Sequence, residues 1–123
     1  MNQTYPVYWP QYFTATIYEW KHLLSKDEHK DIVIESLQFL VAQKRIVLFG
    51  FVIMSNHIHL IWQQNKLNGK ETPKGSLLKY TGHQFLKLLK AEGKSNLYEV
   101  NAANKKHEIW QRDSLASKFT AVK

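Results

Sequence analysis

The sequence predicts an α+β domain of the ferredoxin-like βαββαβ kind, an antiparallel sheet with two helices on one face. Three observations predict it. Strand-like and helix-like periodicities follow one another in that order. A tight turn joins the two middle strands. The 123 residues suit one hydrophobic core, and no internal repeat or linker divides them, so one domain spanning 1–123 is expected.

Tyr12 to Tyr18 (YFTATIY) alternates aromatic or β-branched residues with small ones and reads as the first strand. Ser25 followed by Glu28 has the spacing of a capping box, in which hydroxyl and carboxylate each satisfy a free backbone donor. The helix so opened is expected to run to Lys44, with Val33, Leu37, Leu40 and Val41 as its buried stripe. Ile46 to Met54 is a dense β-forming run, Ser55-Asn56 a tight turn, and His57 to Gln63 the answering strand. Asn65 to Gly75 (NKLNGKETPKG) is a polar loop. Ser76 to Glu92 is an amphipathic helix with Leu78, Phe85, Leu88 and Leu89 inward, and Gly93 is placed to end it. Beyond it, Lys94 to Lys106 reads as loop and His107 to Gln111 as a short last strand. Ser114 to Lys123 has neither periodicity nor a hydrophobic anchor, and is expected to be disordered or aberrant.

Composition narrows the function. Hydrophobic residues make up 44% and charged residues 22%, as in a folded protein. No apolar run is long enough to cross a bilayer, and Met1 to Pro6 lacks the basic and apolar regions of a signal peptide. With no cysteine, disulfides and thiolate metal sites are excluded, and a reducing cytoplasm is the expected setting. Seventeen Lys and Arg against ten Asp and Glu leave +7, which favours a polyanionic partner. Six Tyr, six Phe and four Trp offer stacking surfaces for unpaired bases.

The chemistry-bearing residues are in the second strand of the hairpin. Residues two apart in a strand point to one face and lie about 6.6–6.8 Å apart along the chain. His57 and His59 therefore project together, and two imidazoles so placed can converge on one cation. Ile58, Leu60 and Trp62 point the other way, toward the helices. An isolated His-x-His pair also reads as a half-exposed polar face, because two ligands fall short of the three or four usual at a catalytic metal.

The flanking residues add to that. The run Phe51-Val52-Ile53-Met54-Ser55-Asn56-His57-Ile58-His59-Leu60-Ile61-Trp62 resembles the signature of HUH single-tyrosine transposases. These include insertion-sequence-200-like enzymes and REP-associated tyrosine transposases, with their Met-x-Asn-His-x-His-Leu pattern. Ser55 stands where proline is common. The resemblance extends upstream through Tyr12 to Leu40, and downstream to Lys79-Tyr80-Thr81 and Ile109-Trp110. It implies a ferredoxin-like domain that binds single-stranded DNA, often with a hairpin. It also implies that His57 and His59, with a third ligand, hold Mg²⁺ or Mn²⁺. A tyrosine would attack the scissile phosphate, giving a phosphotyrosine link. Dimers are common among such proteins, so a homodimer is a further expectation.

The family's nucleophile is expected on a C-terminal helix in a Tyr-Ile-x-x-Asn-Pro context, and no such motif occurs here. The expectation is a C-terminally truncated transposase domain with impaired cleavage. Tyr80 is the candidate substitute nucleophile; it also reads as the edge of an amphipathic stripe with Leu77 and Gln84. Glu19 is a carboxylate that the first strand could bring near, although nothing in the sequence establishes this.

Lysines cluster after the histidine strand (Lys66, Lys70, Lys74, Lys79, Lys87, Lys90), and Lys105, Lys106 and Arg112 form a second group. Of these, Lys79, Lys87, Lys105 and Lys106 are the candidate nucleic-acid contacts, against the plain reading of a solvated face. Trp62 reads as core; His22, His29, His83 and His107 read as surface. The rival function is a non-catalytic nucleic-acid-binding module, indifferent to EDTA. A different metal-dependent hydrolase would need carboxylates beside the histidines, and none occurs between Arg45 and Lys70.

Overall fold

Strict alternation along one central strand organises the protein. The computed structural model describes residues 9–102, 105–111 and 115–118. Its strands are β1 (Pro10–Thr16), β2 (Ile46–Ile53), β3 (His57–Gln64), β4 (Glu99–Ala102), β5 (Lys105–His107) and β6 (Leu115–Lys118). Its helices are α1 (Asp27–Ala42) and α2 (Pro73–Ala91). β3 pairs antiparallel with β1 on one side and β2 on the other. The short β6 lies antiparallel along the free edge of β1, giving the order β2-β3-β1-β6, while β4 and β5 form a separate hairpin.

Ile58, Leu60 and Trp62 of β3 are fully buried with Phe13 and Ala15 of β1. They share one core with Val33, Leu37 and Leu40 of α1 and Leu77, Phe85 and Leu89 of α2. The helices thus cover one sheet face, and the half-buried residues between Ile58, Leu60 and Trp62 look out from the other. The Phe13 and Trp62 rings stack at 5.5 Å, which ties β1 to β3 at the core's centre. At the end of the sheet, the Gln64 amide donates to Gln11 Oε1 and its own Oε1 accepts the Lys74 N–H, pinning the start of α2.

Several sequence expectations need correcting. The helix expected from a Ser25–Glu28 capping box starts at Asp27, with Lys26 at the cap position and no side-chain cap. Ser25 belongs to a short 3₁₀ turn, and its hydroxyl donates to the His22 carbonyl instead. Val41, expected in the buried stripe, is exposed. α1 ends at Ala42 because Lys44 adopts a left-handed conformation (φ 59°). The Arg45 N–H then bonds to the Leu40 carbonyl and that of Lys44 to the Val41 carbonyl. α2 begins at Pro73, with the Thr72 hydroxyl accepting the Gly75 N–H. Its buried line is Leu77, Thr81, Phe85 and Leu89, while Leu78 and Leu88 are only half-buried. Gly93 ends it as expected, at φ 73°.

The last strand also differs. Of the segment His107 to Gln111, His107 belongs to β5, and Trp110 makes a single bridge to Ile17. The strand that joins the main sheet is Leu115–Lys118, in a segment whose sequence shows no strand period; its backbone donors and acceptors pair with β1 and need no hydrophobic pattern. Ser114 and residues 119–123 lie outside the described residues. His29, expected at the surface, is buried with Nδ1–H donating to the Leu23 carbonyl, and His107 is half-buried.

Candidate metal centre on the exposed sheet face

Register places the site. In the β1–β3 ladder Thr14 lies opposite His59 and Thr16 opposite His57, while Val52 of β2 lies opposite His59 from the other side. The turn that delivers His57 is braced from outside the hairpin. The Ile17 N–H bonds to the Asn56 carbonyl and the Leu24 N–H to the Ser55 carbonyl. Ser55 Oγ stands 2.7 Å from His22 Nδ1, a contact that a proline at this position could not make.

The two imidazoles meet edge to face, with Nε2 of His57 3.1 Å from Nε2 of His59. Two nitrogens each about 2.1 Å from one cation, at about 90–110°, stand about 3.0–3.4 Å apart. The pair therefore has the spacing of two neighbouring ligands on one ion. The Nδ1 atoms face away and are held: His57 Nδ1–H donates to Asn56 Oδ1 at 2.8 Å. His59 Nδ1 lies 2.7 Å from the Tyr12 hydroxyl and 3.0 Å from Thr14 Oγ1. Outer partners of this kind fix ring orientation at metal-binding histidines. Burial, and then the neighbouring His59, push the His57 pKa below the ordinary imidazole value, which keeps it neutral and able to ligate.

A donor set of two imidazoles fits a divalent cation with open positions left for oxygen ligands. No third His, Cys, Asp or Glu joins the pair among the described residues. Glu19 is in an exposed 3₁₀ turn, ion-paired with Lys21 at 2.9 Å. Lys21 is also the chief reason its carboxyl is held below the usual range.

The other sequence candidates lie elsewhere. Tyr80 is exposed on α2, on the helical side of the sheet, beside Arg45, Glu71 and His83. Lys79 and Lys106 line one groove with Lys74, His83 and His107, between α2 and the β4–β5 hairpin. Lys79 is also within 3.6 Å of Glu71. Lys87 is exposed on α2. The Lys105 side chain and Arg112 lie outside the described residues. Trp62 is core, as expected. Sequence reasoning missed Tyr12, Thr14 and Asn56 as partners of the histidines. The register of β1 on β3 supplies the first two, and the first strand's alternation was the only signal of it.

An antiparallel sheet with two helices on one face and a histidine pair on the other defines a class of α+β protein. The fold is that of a REP-associated tyrosine transposase. The structure of such a transposase bound to a REP hairpin matches this chain with a TM-score of 0.59 at 15% identity, covering 99% of this chain. The match covers 62% of that protein, so this chain spans less than two thirds of its length. No protein-family model matches the sequence, and no curated protein matches it. Among the described residues no helix is long and apolar enough to cross a membrane.

Proposed function

We propose that this chain is a transposase-type domain of the ferredoxin-like kind that binds single-stranded or hairpin DNA and holds Mg²⁺ or Mn²⁺ between His57 and His59. The observation that carries the reading is the 3.1 Å approach of the two Nε2 atoms on the sheet face that the helices leave uncovered. The strand order β2-β3-β1-β6 supports the ferredoxin-like assignment. When bound, the cation would neutralise charge on a phosphate oxygen. His57 and His59 hold their Nε2 atoms toward that position, and Asn56 keeps His57 from turning. Lys74, Lys79 and Lys106 line a basic groove suited to the backbone of a paired stem, with Lys87 beyond it on α2.

Strand cleavage through a phosphotyrosine link needs a tyrosine hydroxyl beside the pair. Tyr80 is on the far side of the sheet, and the hydroxyl of Tyr12 touches the Nδ1 side of His59, away from Nε2. Neither of these two supplies that hydroxyl, and we read the chain as a domain that binds DNA and cation with cleavage impaired. A second reading, a binding module without metal, is favoured by the absence of a third His, Cys, Asp or Glu among the described residues.

Labelled hairpin DNA with Mn²⁺ or with EDTA separates the two, read by native and denaturing gels. Binding is expected to weaken in EDTA, with no protein–DNA adduct surviving denaturation. Equal binding in EDTA would leave the second reading. An adduct lost in Tyr80→Phe would make Tyr80 the nucleophile.

A further inference from the structure

The two histidines have outer partners of different kinds. Asn56 Oδ1 only accepts, so the proton of neutral His57 is on Nδ1 and the lone pair is on Nε2. His59 Nδ1 instead meets two hydroxyls, Tyr12 at 2.7 Å and Thr14 at 3.0 Å, and a hydroxyl both donates and accepts. We propose that Tyr12 and Thr14 form a hydroxyl clamp that positions His59 and lets it exchange tautomers in place. One side-chain geometry then serves both the cation-free and the cation-holding pair. The inference rests on the metal reading above and deepens it.

Two Nε2 lone pairs facing each other across 3.1 Å repel unless something lies between them. Without a cation that something is a proton, and His57 has already committed its own to Nδ1. The proton must therefore be on His59 Nε2, donated to His57 Nε2, and His59 Nδ1 then accepts from Tyr12 or Thr14. Were a cation held by both Nε2 atoms, His59 would give up its Nε2 proton to solvent and take one up at Nδ1, which would then donate to a hydroxyl oxygen of Tyr12 or Thr14. No net proton is released by the pair. A carboxylate in place of the hydroxyls would only accept and would hold one tautomer; a lysine would hold the other.

The clamp is part of the sheet rather than of a loop. Thr14 is the direct cross-strand neighbour of His59, and Tyr12 is two residues along the same face. The Tyr12 ring stacks on the His59 ring at 5.5 Å and 20°, which fixes the imidazole plane while the hydroxyl reaches Nδ1. Tyr12 and Thr14 are thus positioning residues, acting through His59.

The test uses nitrogen-15 spectra of the histidine side chains at neutral pH, with Zn²⁺ as a diamagnetic probe. Free protein is expected to show His57 protonated on Nδ1 and His59 on Nε2; Zn²⁺ should move the His59 proton to Nδ1. Tyr12→Phe combined with Thr14→Val should weaken Zn²⁺ binding by about 10–100-fold. Thr14→Ser alone should preserve both the affinity and the tautomer exchange, and guards against a misfolded double variant. An unchanged His59 tautomer on Zn²⁺ binding, or wild-type affinity in the double variant, would overturn the clamp. If His57→Ala also binds Zn²⁺ like the wild type, the cation reading itself fails. If His57→Ala does not bind and the double variant does, only the clamp fails.

Discussion

His57 is a neutral base held in a place that disfavours its charged form, by burial first and by His59 second. This has a consequence for the cation-free protein. The unfolded chain protonates His57 near the ordinary value of about 6.5, whereas the folded chain protonates it only at lower pH. Between the two values the unfolded state binds more protons, so stability rises with pH across that window and is lost as pH falls through it. Urea midpoints measured from pH 7.5 downward should begin to drop near the ordinary imidazole value. His57→Asn should remove part of that drop; an unchanged profile in the variant would assign it to other groups. At this scale, the pairing of the two histidines was legible because a period of two follows from strand geometry alone. Their hydroxyl and amide partners were not. A bond between residues 47 positions apart, Tyr12 to His59, depends on a register that neither strand states by itself. Buried Arg45 was missed for the same reason: its guanidinium fastens the 65–76 region through the Lys66 and Glu71 carbonyls and Ser76 Oγ.

Both helices end in the same way, and only one end could be read. After α2, Gly93 takes the left-handed position, and the Lys94 N–H closes on the Leu89 carbonyl while that of Gly93 closes on Lys90. After α1, Lys44 occupies the equivalent position with the same pair of closing bonds. A glycine announces this conformation, whereas a lysine carries no signal of it, so the first helix was read two residues too long. A left-handed conformation costs a residue with a Cβ roughly 1–2 kcal/mol. Lys44→Gly should therefore stabilise the protein by about 1 kcal/mol in urea denaturation, after allowing for glycine's greater freedom when unfolded. A loss of stability would show that the Lys44 side chain contributes something the backbone argument omits. The start of α1 was misread because Ser25 spends its hydroxyl on the 3₁₀ turn before it, a local competition that spacing cannot reveal.

Over the whole molecule, the order of elements was legible because hydrophobic period changes sharply from two to 3.6 and back. The hairpin and both helices follow from that. The closing strand was not, since β6 lacks the pattern that makes a strand visible. Three of the lysines behind the net charge of +7 share one groove: Lys74, Lys79 and Lys106 line it although 32 positions separate the first from the last. If that groove follows a phosphate backbone, alanine at Lys74 or Lys106 should weaken hairpin binding regardless of sequence. It should also reduce the salt slope by about one each. Lys79 should count for less, because Glu71 already offsets part of its charge. Unchanged slopes in all three would return these lysines to a solvated face.

The central claim is that one cation is held by the facing nitrogens of His57 and His59. A calorimetric titration of Mn²⁺ into the wild type and His57→Ala, with circular dichroism on both, tests it most directly. The wild type should bind, the variant should lose that binding, and both should give the same folded spectrum, since truncating a half-exposed side chain leaves no core cavity. Equal Mn²⁺ affinity in the two proteins would contradict it.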